Sequence, residues 1–419
     1  MTAPVRVLLF STLYPSAARP LHGLFVETRL RELLKSGEVE ARVIAPVPWF
    51  PLRGRVFGEY GAFAATPRRE LRAGIEVHYP RYLAIPKMGM NSAPDMIARA
   101  ALPVARRLIA QGHDFDLIDA HYYYPDGVAA GLVARSLGKP FIVTARGTDL
   151  NVLPDFPLPR KRILETAGLA SASIGVSRSL MDRLVELGAD PAKLHVLRNG
   201  VDLERFMPAP RQEARARLGL PESGTMLLSV GRLIEGKGHH IAIDALSSLT
   251  RDTSLVIVGN GEQRQALEAR ARKAGVDARV RFAGGVPQEE LRWYYSAADA
   301  LLLCSAREGW ANVLLEAMAC GTPVISTDIA GTREVVTSPA AGRLMRERSA
   351  AGLVEGHAAL FGDYPKREAT RAFAESFSWQ ATTEGQICVM RAAIEASGLP
   401  GAAGAGKHLP QANVAVCEA

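Results

Sequence analysis

Two carboxylates eight positions apart, Glu308 and Glu316, sit in the stretch Glu308-Gly309-Trp310-Ala311-Asn312-Val313-Leu314-Leu315-Glu316-Ala317-Met318-Ala319-Cys320-Gly321-Thr322-Pro323-Val324. Asn312 is a helix-capping type, the apolar run after it has one helical face, and Gly321 and Pro323 stop it before the β-branched pair Val324-Ile325. The spacing predicts a loop, a short helix capped at Asn312 and the start of a strand. Glu308 then precedes the helix N-terminus and Glu316 lies within the helix. The two carboxylates address different parts of one ligand lying across the amides that open the helix, a geometry for a polar ligand with an anionic centre.

A second stretch carries fixed positive charge. Ser229-Val230-Gly231-Arg232-Leu233-Ile234-Glu235-Gly236-Lys237-Gly238 reads as a strand ending in a glycine-spaced loop with two cations before a helix. A departing diphosphate needs its growing charge neutralised, and fixed cations with backbone amides do this without a metal. Arg232 and Lys237 fit that role. The turn Val258-Gly259-Asn260-Gly261-Glu262 has a similar outline, but its glycines are needed for backbone geometry alone.

The first stretch resembles the retaining, nucleotide-sugar-dependent glycosyltransferases of family four, in which a Glu, seven residues and a second Glu precede an Ala-Met-Ala-x-Gly-x-Pro-Val tail. The second resembles that family's Gly-Arg-Leu-x-x-x-Lys-Gly loop. The resemblance implies an α/β chain of the fold called GT-B, two doubly wound Rossmann-like domains facing a central cleft. It places Glu308 toward the transferred sugar and Glu316 toward the nucleotide ribose, and gives Arg232 and Lys237 the diphosphate. Gly231, Gly309, Asn312 and Val313 join them on the donor side, with Gly23 of the loop after the first strand near donor phosphates and acceptor.

On the acceptor side the candidates are His121, Arg146 and Asp149. Many relatives carry His-Gly where this chain has Arg146-Gly147; a guanidinium keeps its proton and acts as a fixed anion clamp, where an imidazole can shuttle one. A polymer-synthesising branch with Arg-Gly-x-Asp looks similar here. Asp149 either binds an acceptor hydroxyl or fixes Arg146, and His121 is either a neutral hydrogen-bonding partner or a structural strand end. The implied donor is a UDP-sugar, with no metal or other cofactor. The implied acceptor is a saccharide or lipid-linked saccharide of exopolysaccharide or cell-envelope synthesis. Two rival classes are a nucleotide-sugar epimerase on the same double sheet and a noncatalytic nucleotide-sugar-binding subunit. The epimerase needs acid and base groups flanking the sugar carbon, and the subunit would be expected to lack Glu308 or the cationic loop.

The elements that must position these residues follow from the rest of the chain. At 419 residues it exceeds one ordinary core, so two domains are expected. Hydrophobic residues at 48% and charged residues at 22% are globular, and no apolar run is long enough to span a bilayer. Val5–Phe10 is too short for a signal-peptide core and reads as a first buried strand. Cys304, Cys320, Cys388 and Cys417 show no metal-ligand spacing and suit a reducing cytoplasm.

Residues 1 to 200 carry 26 Lys plus Arg against 18 Asp plus Glu, and the remainder 24 against 25. The basic excess therefore lies in the first half, which suits peripheral contact with an anionic membrane at its inner face or a phosphate-bearing acceptor. No nucleic-acid motif appears. Alternating apolar runs and amphipathic segments give a βα pattern twice, over 1–202 and 211–378, joined by a linker at 203–210. A last helix over 379–396 is expected to cross back to the first domain, and 397–419 reads as a flexible tail. Pro46 to Arg72, rich in Pro, Gly, Arg and aromatics, reads as a long loop.

Overall fold

The structure is a computed structural model and describes residues 3–84 and 89–398. Its strands are Val5–Phe10 (β1), Val39–Ile44 (β2), Val47–Pro48 (β3), Arg69–Arg72 (β4), Ile75–His78 (β5), Arg81–Tyr82 (β6), Leu117–His121 (β7), Phe141–Ala145 (β8), Ala172–Gly175 (β9) and Leu194–Val196 (β10) in the first half. Met226–Val230 (β11), Ser254–Val258 (β12), Val280–Gly284 (β13), Ala300–Leu303 (β14), Val324–Thr327 (β15) and Gly342–Met345 (β16) follow in the second. They form an eight-stranded sheet in the order β10-β9-β8-β7-β1-β2-β5-β4 and a six-stranded sheet in the order β13-β12-β11-β14-β15-β16. All pairs in both are parallel except β4 with β5. Strands β7, β8, β14 and β15 are buried at every residue, as sheets covered by helices on both faces require.

The strand order reverses at β1 in the first sheet and at β11 in the second. Ligands of such sheets bind outside the carboxyl ends of the strands at that reversal. The loop after β1 carries Leu21 to Phe25 and the loop after β11 carries Gly231 and Arg232, and these two loops face each other across the interdomain cleft.

The helix Trp379–Ala396 packs Ile387, Met390, Ala393 and Ile394 against Val5, Val7, Leu117 and Ile142 of the first sheet. It therefore belongs spatially to the first domain. Where the chain crosses, the Val201 amide donates to the Phe377 carbonyl at 2.9 Å. Arg371 Nη1 donates to the carbonyls of Phe206 and Ala319 at 2.6 and 2.7 Å, tying the linker to the second domain.

One expectation needs correction, and two elements stand where none is expected. Residues 46 to 72 are not a long loop: they hold β3, a helix over Gly58–Ala65 and β4. The rings of Phe50, Phe57, Tyr60 and Phe63 pack on one another there, so tertiary contact makes structure that local propensity does not predict. A helix over Arg211–Leu218 follows the linker although it lacks an apolar stripe; buried Arg215 anchors it by donating to Asp299 Oδ2 at 2.7 Å and to the Ala297 carbonyl. Strand β16 was also not expected. The expected tail lies, beyond Gly398, outside the described residues, as does Cys417. Cys304 and Cys320 are buried thiols and Cys388 is exposed.

Candidate active site

Glu308 stands in the loop between β14 and the helix Asn312–Ala319, where its Oε1 accepts a hydrogen bond from Lys237 Nζ at 2.6 Å. Lys237 reaches it from the loop after β11. That loop depends on Gly238, whose φ of 72° is left-handed and whose missing Cβ would sit 2.1 Å from the Cys304 carbonyl oxygen. The cationic loop and the Glu308 loop are thus held together by backbone contact.

Asn312 is the first residue of its helix, not the cap; Ala311 occupies the cap position and makes no side-chain capping bond. The Asn312 side chain is used otherwise: its Oδ1 accepts from Asn199 Nδ2 of the first domain at 3.2 Å. One turn further along, Glu316 Oε2 accepts from the hydroxyl of fully buried Tyr295 at 2.7 Å. Burial pushes the Glu316 carboxyl up to about 7, against the opposing pull of that hydrogen bond.

Two cavities of about 690 and 630 Å³ line the cleft and meet at Leu21, Phe25, Gly231, Arg232, Asn312 and Val313. Glu316, Arg205 and the glycine turn at 259–261 line the first; Glu308, Gly309, Lys237 and Arg146 line the second. The sequence order of the candidates becomes a spatial order. Glu316 stands at one end, the helix N-terminus with exposed Arg232 in the middle, and the Lys237–Glu308 pair at the other.

The first-domain candidates sit differently from one another. Gly23 opens the helix Leu24–Lys35 with a φ of 67°, and a Cβ there would lie 2.3 Å from the Leu13 carbonyl oxygen. Its neighbours Leu21, His22 and Phe25 face the cavity instead. Asp149 is fully buried and accepts from the backbone amides of Tyr123, Arg146 and Gly147, so it holds the Arg146 loop and is no acceptor ligand. His121 is fully buried beneath the site, between Asp119 and Arg146, and burial pushes its imidazole down to about 4, leaving it neutral. Only Arg146 of the three lines the cavity among the described residues.

The two domains touch beside Glu308. A Cβ on Gly309 would lie 2.2 Å from the Arg146 carbonyl oxygen and 2.6 Å from Gly147 Cα. Glu334 of the second domain accepts from the amides of Arg178 and Ser179 at the start of a first-domain helix, at 2.9 and 3.0 Å, and from Arg198 Nη2 at 2.9 Å. Sequence reasoning missed Glu334, Tyr295 and the Asn199–Asn312 contact. No local pattern marks them; each works through a partner far away in the chain.

Comparison with known proteins agrees with this geometry. Residues 30–205 match the family described as Glycosyltransferase Family 4, and residues 210–377 match Glycosyl transferases group 1. The chain is 33% identical to the teichuronic acid biosynthesis glycosyltransferase named TuaC of Bacillus subtilis (strain 168), over 78% of this chain and 82% of that protein. It is 31% identical to D-inositol 3-phosphate glycosyltransferase 1 of Catenulispora acidiphila, over 94% of this chain and 97% of that protein. Among solved structures, the sucrose-phosphate synthase of Thermosynechococcus elongatus superposes with a TM-score of 0.76 at 20% identity, covering 94% of this chain and all of that one. The Anabaena protein HepE, solved with UDP-glucose, gives 0.69 at 20% identity, covering 94% of this chain and 99% of that one. Two matched families that together cover most of residues 30–377, relatives alike over most of their length and two facing doubly wound sheets have one reading: the chain belongs to the family-four glycosyltransferases of the GT-B fold.

Proposed function

We propose that the chain transfers a hexosyl unit from a UDP-sugar to a saccharide or lipid-linked saccharide with retention at the anomeric carbon, in exopolysaccharide or cell-envelope synthesis. One observation carries this reading: the continuous cleft that sets Glu316, the helix amides with Arg232, and the Lys237–Glu308 pair in that order. A nucleotide sugar has its ribose, diphosphate and hexose in the same order. Glu316 holds the ribose, and Arg232, Lys237 and the amides of Asn312 and Val313 carry the diphosphate without a resident metal ion. Glu308 holds the hexose and offsets its developing positive charge.

Among the described residues lining the sugar end, Glu308 is the one carboxylate. Double displacement needs a nucleophilic carboxylate on the face opposite the leaving group. Front-face transfer fits better: the acceptor hydroxyl attacks as the C–O bond to the diphosphate breaks, and the diphosphate oxygen takes the hydroxyl proton. Closure of the domains shuts out water and suppresses donor hydrolysis.

The acceptor reading rests on the first domain and on similarity to TuaC, whose name places it in teichuronic acid biosynthesis. Trp49, Leu52, Val56 and Leu83 each expose at least half of their surface. Trp49 and Leu83 follow the paired strands β3 and β6, with exposed Arg53, Arg68 and Arg69 on the intervening chain. Glu59, beside Tyr60 of the same segment, lines the cleft. Apolar and cationic side chains near a cleft mouth suit an acceptor presented at an anionic membrane. No helix among the described residues is long and apolar enough to cross one.

The test is release of nucleoside diphosphate from a panel of nucleotide sugars, with and without membrane lipid extract, by the wild type and Glu308→Ala. Lipid-stimulated release from one donor, lost in the variant, supports the reading and names the donor. Donors that bind but never turn over would sink it and favour a binding subunit.

A further inference from the structure

Behind the sugar end of the cleft six side chains close a ring of hydrogen bonds. Arg29 Nε donates to Gln386 Oε1 at 2.5 Å, and Gln386 Nε2 donates to Asp119 Oδ2 at 2.8 Å. The same Asp119 oxygen lies 3.2 Å from His121 Nε2, and His121 Nδ1 meets Arg146 Nη2. Arg146 Nη1 donates to Asn199 Oδ1 at 3.3 Å, and Arg29 Nη1 closes the ring on the same oxygen at 3.2 Å. With His121 neutral, its Nε2–H donates to Asp119 and its Nδ1 accepts from Arg146, so every bond has a donor and an acceptor.

Stability alone does not account for this ring. Arg29, Asp119, His121, Asn199 and Gln386 are all buried, and the ring holds two guanidiniums and one carboxylate with neither guanidinium bonded to it directly. Arg29 Nη2, Arg146 Nε and Asp119 Oδ1 lack partners. Buried charges of this kind are often neutral or worse for folding than an apolar core, whereas a closed set of directional bonds at low dielectric fixes one arrangement. The ring also joins five separate segments: the helix after β1, the ends of β7, β8 and β10, and, through Gln386, the C-terminal helix. It has one hydrogen-bonded branch into the second domain among the described residues, from Asn199 Nδ2 to Asn312 Oδ1 at 3.2 Å.

We propose that Asn199 is a positioning residue for sugar transfer, through which the buried ring holds the first residue of the helix Asn312–Ala319 in register with Arg146 across the cleft. This rests on the reading of that helix terminus as the diphosphate site. An amide suits the place. Its oxygen accepts from two arginines while its nitrogen reaches the other domain. Asn312 is thereby placed by the first domain, and the C-terminal helix and the catalytic cleft become one mechanical unit.

Asn199→Ala, Asn199→Asp, Asn312→Ala and the double Ala variant, made in the full chain, test this. Asn199→Ala is expected to lower kcat on the order of ten- to a hundredfold, with UDP affinity measured by calorimetry changed far less. Asn199→Asp still accepts from both arginines and, once the Asn312 amide turns, from Asn312 as well, so it should recover most of the rate. Asn312→Ala leaves the ring whole and should match Asn199→Ala, and the double variant should be no worse than either. A wild-type kcat in Asn199→Ala, or a double variant showing the product of the single losses, overturns the proposal.

Amide hydrogen exchange at Arg178 and Ser179, whose N–H groups are held across the domain boundary by Glu334, gives a readout that needs no turnover. Exchange at least tenfold faster in both single Ala variants supports the coupling even if no donor is ever transferred. Unchanged exchange sinks it, and if Asn199→Ala fails to fold, Asn312→Ala decides alone.

Discussion

Replacing Gly309 by Ala adds one methyl group where the two domains meet. That carbon would lie 2.2 Å from the Arg146 carbonyl oxygen, 2.6 Å from Gly147 Cα and 2.8 Å from the Arg146 carbonyl carbon. Each is far inside the roughly 3.5 Å at which non-bonded heavy atoms meet comfortably. All three atoms are backbone, so no rotamer change relieves the clash. Gly309 itself has no left-handed φ, so Ala is unstrained within its own loop. The cheapest relief is therefore for the domains to stand about 1 Å further apart. Over-packing of this kind costs about 1–3 kcal/mol, and a 1 Å misplacement of reacting groups can cost a hundredfold in rate. We expect kcat to fall about ten- to a hundredfold, with UDP affinity within about threefold of wild type because Glu316 and Arg232 both belong to the second domain. Diphosphate release under saturating donor, calorimetry with UDP and a melting curve separate these effects. Gly168→Ala, where the added carbon meets nothing within 4 Å, is the control. Full kcat in Gly309→Ala would refute the claim that the contact of Gly309 with Arg146 and Gly147 belongs to the working arrangement.

Further expectations follow from the same geometry. Glu308→Gln keeps the shape of the side chain but removes the charge beside Lys237, and kcat should fall about a hundredfold or more with a smaller change in donor KM; a raised KM with unchanged kcat would mean that Glu308 acts in binding alone. In the proposed donor site ribose hydroxyls would donate to the ionised Glu316 carboxylate, whose free-site value is about 7, so donor affinity should rise between pH 6 and 8 and Glu316→Gln should flatten that profile. The stability effect has the opposite sign: the folded value lies above the unfolded one, so folding favours the protonated form and stability falls as pH rises from about 4.5 toward 7. Glu316→Gln should accordingly gain in melting temperature over wild type across that window, and a gain independent of pH would argue against it. Changing Trp49, Leu52 and Val56 together to Ser should abolish co-sedimentation with phosphatidylglycerol vesicles while leaving UDP affinity intact; unaltered sedimentation would remove the membrane reading.

The donor side was legible because one short segment carries most of it. A loop, a helix start and one helical turn set Glu308, the helix amides and Glu316 along one cleft, so their order in space is written as local spacing. Parallel strands buried on both faces read as apolar runs, and β1 and β11 fall where the sequence put them. The helix Arg211–Leu218 escaped because its hold is a buried arginine reaching Asp299, 84 residues on, and not an apolar stripe. The acceptor side is built the same way. Arg29 and Gln386 are 357 positions apart, and nothing in the neighbourhood of either announces the other.

That non-local construction also explains the residue at 146. Read alone, an arginine where relatives carry histidine is an anion clamp. In the structure its guanidinium is spent inward, with Nη2 on His121, Nη1 on Asn199 and the ring of Phe25 against its plane at 5.4 Å. A histidine at this position has two ring nitrogens, of which the neutral form offers one donor, so it could not donate to His121 and Asn199 together. Arg146 thus closes the ring that a histidine would leave open, and the site keeps a neutral imidazole beneath the cleft, at His121, instead of presenting one in it. Among the described residues lining the cavity around Glu308 none is a histidine, so none there offers an imidazole to a proton. Under the front-face transfer proposed above, the leaving diphosphate oxygen would then be the base.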